Sequence, residues 1–131
     1  MQNDSRLKGA RILIVEDNAL SVLLAEQTLQ ELGCIVAAKA TTVEAALDAI
    51  DRRGPFDCVM LDVRLGHELS SDIASLLMKR NIPFIICSGY DIKLPGMNIP
   101  VVDKPYTSEM LGQALSKALA IAAPAPQEGR S

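Results

Sequence analysis

The stretch Arg11–Asn18 reads RILIVEDN: four aliphatic residues in succession, Ile12 to Val15, then two carboxylates and an asparagine. An aliphatic run without alternation is the pattern of a strand covered on both faces, because neither side of it meets water. Asn18 then opens a segment in which Val22, Ala25, Leu29 and Leu32 fall on one helical face, and Gly33 supplies the stop. The unit is a strand, an acidic turn and a helix.

The unit repeats along the chain. CIVAA at Cys34–Ala38, CVML at Cys58–Leu61, FIIC at Phe84–Cys87 and the short Val101–Val102 are the further aliphatic runs. Thr41-x-x-Glu44 forms a capping box ahead of Val43, Ala46, Leu47 and Ile50, and Gly54-Pro55 closes that helix. Ile73, Leu76 and Leu77 mark a third helix after Ser70–Asp72. Thr107 caps a last one bearing Leu111, Ala114, Leu115 and Ala118. Strands alternating with helices require right-handed crossovers, so the fold class is α/β, a doubly wound five-stranded parallel sheet. Only ten residues, Gly89–Asn98, separate Ser88 from Ile99, and Gly89, Pro95 and Gly96 break them. The fourth helix is therefore predicted to be short or missing. Residues 1–9 read as a flexible N-terminus, 10–122 as the domain and 123–131 as a disordered tail.

Composition bounds the function classes. With 131 residues, 49% of them hydrophobic and 22% charged, the chain is one globular domain. A net charge of −3 and an aromatic content of 3% argue against nucleic acid as a partner. Ile12–Val15 is too short for a secretory core and no run approaches a membrane span. No membrane partner is expected, and the location reads as cytoplasmic. Cys34, Cys58 and Cys87 sit in apolar runs without metal-type spacing and read as buried, reduced thiols.

In open parallel sheets, ligands bind beyond the carboxyl ends of the strands, where the strand order reverses. Glu16 and Asp17 follow the first run, Asp62 the third, Ser88 the fourth, and Asp103, Lys104 and Pro105 the fifth. The second run ends in Ala37–Ala38 and brings no chemistry. Each of these residues alone has a duller explanation: a capping turn, a bend, a loop lysine. Their joint occurrence at four strand ends decides for a site. Carboxylates gathered in one crevice repel one another unless a cation lies among them, and an all-oxygen donor set selects Mg²⁺ (or Mn²⁺). With Lys104 opposite and the Ser88 hydroxyl close by, the constellation suits a phosphoryl group attacked by a carboxylate.

VEDN at Val15–Asn18, LDVRL at Leu61–Leu65, CSGY at Cys87–Tyr90 and DKPY at Asp103–Tyr106 together resemble the response regulator receiver domain of two-component signalling, over about Ala10 to Ala122. The resemblance implies a flavodoxin-like fold with strand order 2-1-3-4-5. It implies Asp62 as phosphoacceptor, charged from a phosphohistidine on a sensor histidine kinase or a histidine phosphotransfer protein. Asp17 is then a direct Mg²⁺ ligand, Glu16 acts mainly through water, and the backbone carbonyl of Arg64 completes the protein ligands. Lys104 holds one phosphoryl oxygen, the Ser88 hydroxyl swings to another, and Gly89 leaves space beside the phosphate.

The chain departs from that family in places. Receivers usually carry Tyr or Phe three residues before the lysine, where this sequence has Val101. PFIICSGY at Pro83–Tyr90 resembles a receiver subgroup with the signature Pro-Phe-x-Phe-Ala-Thr-Gly-Tyr, Ile86, Cys87 and Ser88 replacing its Phe, Ala and Thr. Switching is expected in Gly89–Asn98, coupled to Ser88 and Tyr90, rather than in a swinging ring. The proline that commonly follows the phosphoacceptor is replaced by Leu65-Gly66. The Arg64 side chain either reaches the phosphoryl group or is solvated. His67, the only histidine, has no ligands at coordination spacing, and Tyr106 reads as packing for the last helix.

The expected function is a phosphoacceptor switch and not a turnover enzyme, catalysing only its own phosphorylation and dephosphorylation. No output domain follows Ala122, so output is expected through a downstream protein partner, as a phosphate sink, or by relay. The alternative is a pseudo-receiver, an interaction module independent of phosphorylation; the missing aromatic favours it and the retained carboxylates oppose it. A hydrolase of small phosphates needs an acid two residues after Asp62, where Arg64 stands.

Overall fold

Successive side chains of a strand point to opposite faces, so an unbroken aliphatic run can feed two cores at once. The computed structural model describes residues 6–65, 68–88 and 99–122. In chain order these form β1 (Arg11–Val15), α1 (Ala19–Glu31), β2 (Ile35–Ala40), α2 (Val43–Arg52), β3 (Cys58–Asp62), α3 (Ser71–Lys79), β4 (Phe84–Ser88), β5 (Val101–Asp103) and α4 (Ser108–Ala122). A two-residue antiparallel ladder, Arg64–Leu65 against Glu68–Leu69, lies between β3 and α3. The five long strands make one parallel sheet in the order β2-β1-β3-β4-β5, the flavodoxin-like topology.

The alternation sorts the runs into two layers. Ile12, Ile14, Met60, Ile85 and Val102 pack with Ala25 and Leu29 of α1 and with Leu111 and Leu115 of α4. Leu13, Val15, Val59, Leu61, Phe84 and Ile86 pack on the other face with Ala46 and Ile50 of α2 and Ile73 and Leu77 of α3. Every residue from Ile12 to Val15 is at most 1% exposed, which is why the run has no polar member.

Three helices start on side-chain caps. Asn18 Oδ1 accepts from the Ser21 N–H at 2.9 Å, Thr42 Oγ1 from the Ala45 N–H at 3.0 Å, and Thr107 Oγ1 from the Met110 N–H at 3.1 Å. The cap of α2 is therefore Thr42 and not Thr41. With Thr42 extended at the boundary, its acceptor faces Ala45, and Glu44 falls inside the first turn, where it complements the helix dipole. Gly33 ends α1 at φ +88, the left-handed conformation that glycine adopts without strain.

Several boundaries differ from the sequence reading, β2 among them, which runs to Ala40. β3, β4 and β5 each run one residue further and end on Asp62, Ser88 and Asp103, so these polar residues close the strands rather than open the loops. The folded part also begins before Ala10. Residues 6–9 form a turn, the Gly9 N–H donates to the Gly33 carbonyl at 2.8 Å, and Leu7 is 2% exposed in the α1–α4 layer. Gly112 packs beside Leu7 and Leu32, where a Cβ would crowd Leu32 Cδ2 at 3.1 Å. The expected reduced fourth helix in 89–98 and the tail 123–131 lie outside the described residues, and no helix among the described residues is long and apolar enough to cross a membrane. Leu7→Ala should lower the urea midpoint at unchanged slope, by about 2–5 kcal/mol as for other buried leucines; a neutral outcome would mean a flexible start.

Candidate functional site

Strand register levels the strand ends. Val15 pairs with Leu61, Asp62 with Cys87 and Ser88 with Asp103, and the order reverses between β1 and β3. Alternation then chooses a side. Ile12 and Ile14 lead to Glu16, Cys58 and Met60 to Asp62, and Val102 to Lys104, all on the face of the α1–α4 layer. Three charged groups separated widely in sequence are thereby delivered to one spot.

Their geometry is close. The Lys104 ammonium donates to Glu16 Oε1 at 2.6 Å and lies 3.6 Å from Asp62 Oδ2. Glu16 Oε2 accepts the backbone N–H of Asn18 at 3.1 Å, so both oxygens of this buried carboxylate are engaged. Asp17 is exposed on the turn, and carboxylate oxygens of Glu16, Asp17 and Asp62 all lie within 4.8 Å of one another. Three carboxylates against one ammonium leave negative charge in excess, and the donors are all oxygen. That set fits a hard divalent cation.

Below the charges the site is apolar. Ile14, Ala25, Met60, Cys87 and Tyr106 line a cavity of about 10 Å³, far too small for an organic ligand, so the chemistry faces outward. Burial pushes the Cys87 thiol up to about 12, with Lys104 drawing it only part of the way back. Tyr106 packs on the α1–α4 layer, as expected, and burial raises its hydroxyl above the usual tyrosine range. For Lys104 burial acts in the opposite sense and lowers the pKa. The hydrogen bond to Glu16 and the charges of Asp62 and Glu16 outweigh it, and the pKa is raised.

The other expected site residues are placed as follows. Ser88 ends β4 at 1% exposure, on the alternation of Phe84 and Ile86, and its carbonyl accepts the Lys104 N–H at 2.8 Å. Val101 is 42% exposed at the sheet edge. Arg64 lies in the short ladder opposite Leu69. Gly89, Tyr90 and His67 lie outside the described residues. The three cysteines are free and buried. Sequence reasoning missed the Asn18 amide as a partner of Glu16, and Met60 and Cys87 as the floor; the period-two spacing from Met60 to Asp62 was the available signal.

The family model described as response regulator receiver domain matches residues 12–98. Over 79 residues, 60% of the chain, the sequence is 37% identical to the aerobic respiration control sensor protein ArcB of Escherichia coli (strain K12), covering 10% of that protein. The chain thus spans about a tenth of the length of the curated relatives it matches. The solution structure of SdrG from Sphingomonas melonis Fr1 superposes with a TM-score of 0.75 at 33% identity, over 85% of this chain and 97% of that one. The receiver domain of Erythrobacter litoralis PhyR gives a TM-score of 0.77 over 92% and 97% of the two chains; at 22% identity the likeness is one of fold.

A raised folded-state pKa means that Lys104 contributes stability that is complete below 10.5 and is lost as pH rises through the folded value. Side-chain NMR should accordingly give a Lys104 midpoint above 10.5, brought down in Glu16→Gln. A wild-type midpoint below that value would contradict the ion pair.

Proposed function

The chain belongs to the response regulator receiver domain family, and from that premise we propose that Asp62 accepts a phosphoryl group from a phosphohistidine. An Asp62 oxygen bonds to phosphorus as the P–N bond to the donor imidazole breaks, and the imidazole nitrogen keeps the electron pair. The product is an acyl phosphate. Water later attacks it, returning the carboxylate and inorganic phosphate. The chain turns over no other substrate in this reading.

One observation carries it: the Lys104 ammonium lies 3.6 Å from Asp62 Oδ2, within a cluster of three carboxylates. Lys104 faces the oxygens on which charge accumulates during transfer, and its raised pKa keeps it charged at neutral pH. Glu16 fixes Lys104 from the far side, and the Asn18 amide fixes Glu16 in turn. Asp17 and Asp62, with the Arg64 carbonyl, would hold Mg²⁺ (or Mn²⁺), with Glu16 acting through water since its oxygens are engaged. When bound, the cation supplies neutralising charge at the phosphoryl oxygens. The Ser88 hydroxyl is the group that moves to a phosphoryl oxygen, and with Val101 in place of a ring the change passes to Gly89 and Tyr90.

The donor is a sensor histidine kinase or a histidine phosphotransfer protein; the likeness to a stretch of a sensor protein supports that class. The phosphoryl group adds about −1.5 to −2 charges at one point of the surface, which a downstream protein partner reads. Acetyl phosphate or phosphoramidate with Mg²⁺ should add the mass of one phosphoryl group to the intact protein. Asp62→Asn should abolish the adduct and EDTA should prevent it. Lys104→Met should slow labelling by roughly 100-fold, the scale of losing one charge-stabilising donor. No adduct on the wild-type chain, or an undiminished one on Asp62→Asn, would overturn the assignment.

A further inference from the structure

Ser70 occupies the N-cap position of α3, and serine is a preferred residue there, yet its side chain does not cap the helix. Asn18, Thr42 and Thr107 all do so at the other helices. The Ser70 hydroxyl instead donates to the Val63 carbonyl at 3.0 Å, and the Ser70 N–H donates to the same oxygen at 2.9 Å. Ser70 is 4% exposed, so this is a buried two-donor clamp and not a solvated turn. It closes the ladder of Arg64–Leu65 on Glu68–Leu69, which Leu65 anchors from the α2–α3 layer.

The clamped carbonyl is the one that immediately follows Asp62. On the β1 side the sheet pairing ends at Leu61, whereas on the β4 side it continues to Asp62 opposite Cys87. Asp62 closes β3, and the carbonyl of the following residue, Val63, is held by Ser70. We infer that Ser70 is a positioning residue for Asp62: it fixes the backbone as it leaves β3 and so keeps the carboxylate aligned with Lys104. A serine at a helix start gives up its cap, and the freed hydroxyl holds the exit of the acceptor strand. The inference rests on Asp62 being the phosphoacceptor.

The test compares labelling rates by phosphoramidate with Mg²⁺ in wild type, Ser70→Ala and Thr42→Ala. Thr42→Ala removes the hydroxyl that caps α2 by accepting from the Ala45 N–H, and urea unfolding shows how closely the two variants match in stability. At a temperature where both are fully folded, Ser70→Ala should label about tenfold more slowly than Thr42→Ala, a fraction of what misplacement by a full ångström costs. Rates for the two variants within about threefold of each other would overturn the inference, because loss of stability alone would then account for both. If Ser70→Ala does not fold, Ser70→Cys, nearly isosteric but a weak donor, takes its place with the same two outcomes. A wild-type protein that takes no phosphoryl group would instead refute the phosphoacceptor reading, which keeps the two failures apart.

Discussion

The ammonium of Lys104 lies between two carboxylates supplied by different strands, and the sheet could not otherwise hold so much negative charge at one edge. Like charges in close array cost free energy unless a cation is among them. Lys104 is the cation the protein itself provides. Its position is fixed at two points: the side chain on Glu16 and the main-chain N–H on the Ser88 carbonyl. Glu16 is fixed by the amide of Asn18, whose side chain starts α1. Strand end, acidic turn and helix start therefore form one connected electrostatic unit.

That unit rests on hydrocarbon. Met60, Ile14 and Ala25 lie beneath the charges, and in such surroundings an ion pair is felt more strongly than at an open surface. The same packing leaves a cavity of only about 10 Å³ beneath the charges.

Much of this was legible in the sequence, and for identifiable reasons. The strands announced themselves because both faces are covered, and the acidic, hydroxyl and ammonium groups stood at the strand ends where a parallel sheet puts its chemistry. The strand order came from resemblance, since no local pattern encodes it. α1 is harder to read, because Leu20, Leu23 and Leu24 are half-exposed and blur the face defined by Ala25 and Leu29. Leu7 is a lone apolar residue among polar ones and gives no periodic signal; its burial against the α1–α4 layer comes only with the fold. Thr41 and Thr42 are adjacent and chemically equal, so the backbone and not the sequence chose between them. The pairing of Glu16 with Lys104 spans 88 residues, and Ser70 looks like any helix cap until the Val63 carbonyl is seen beside it. Such contacts belong to the assembled fold.

The buried thiols have a practical corollary. Cys34, Cys58 and Cys87 are enclosed, and desolvation lifts them to about 11, 12 and 12, so almost none of their sulfur is present as reactive thiolate in neutral buffer. The native fold should therefore shield them from alkylating probes and mild oxidants. A single cysteine engineered on the surface could carry a fluorophore or spin label with the natural sulfurs left in place, and movement around the acidic cleft could be followed spectroscopically in an otherwise unaltered molecule.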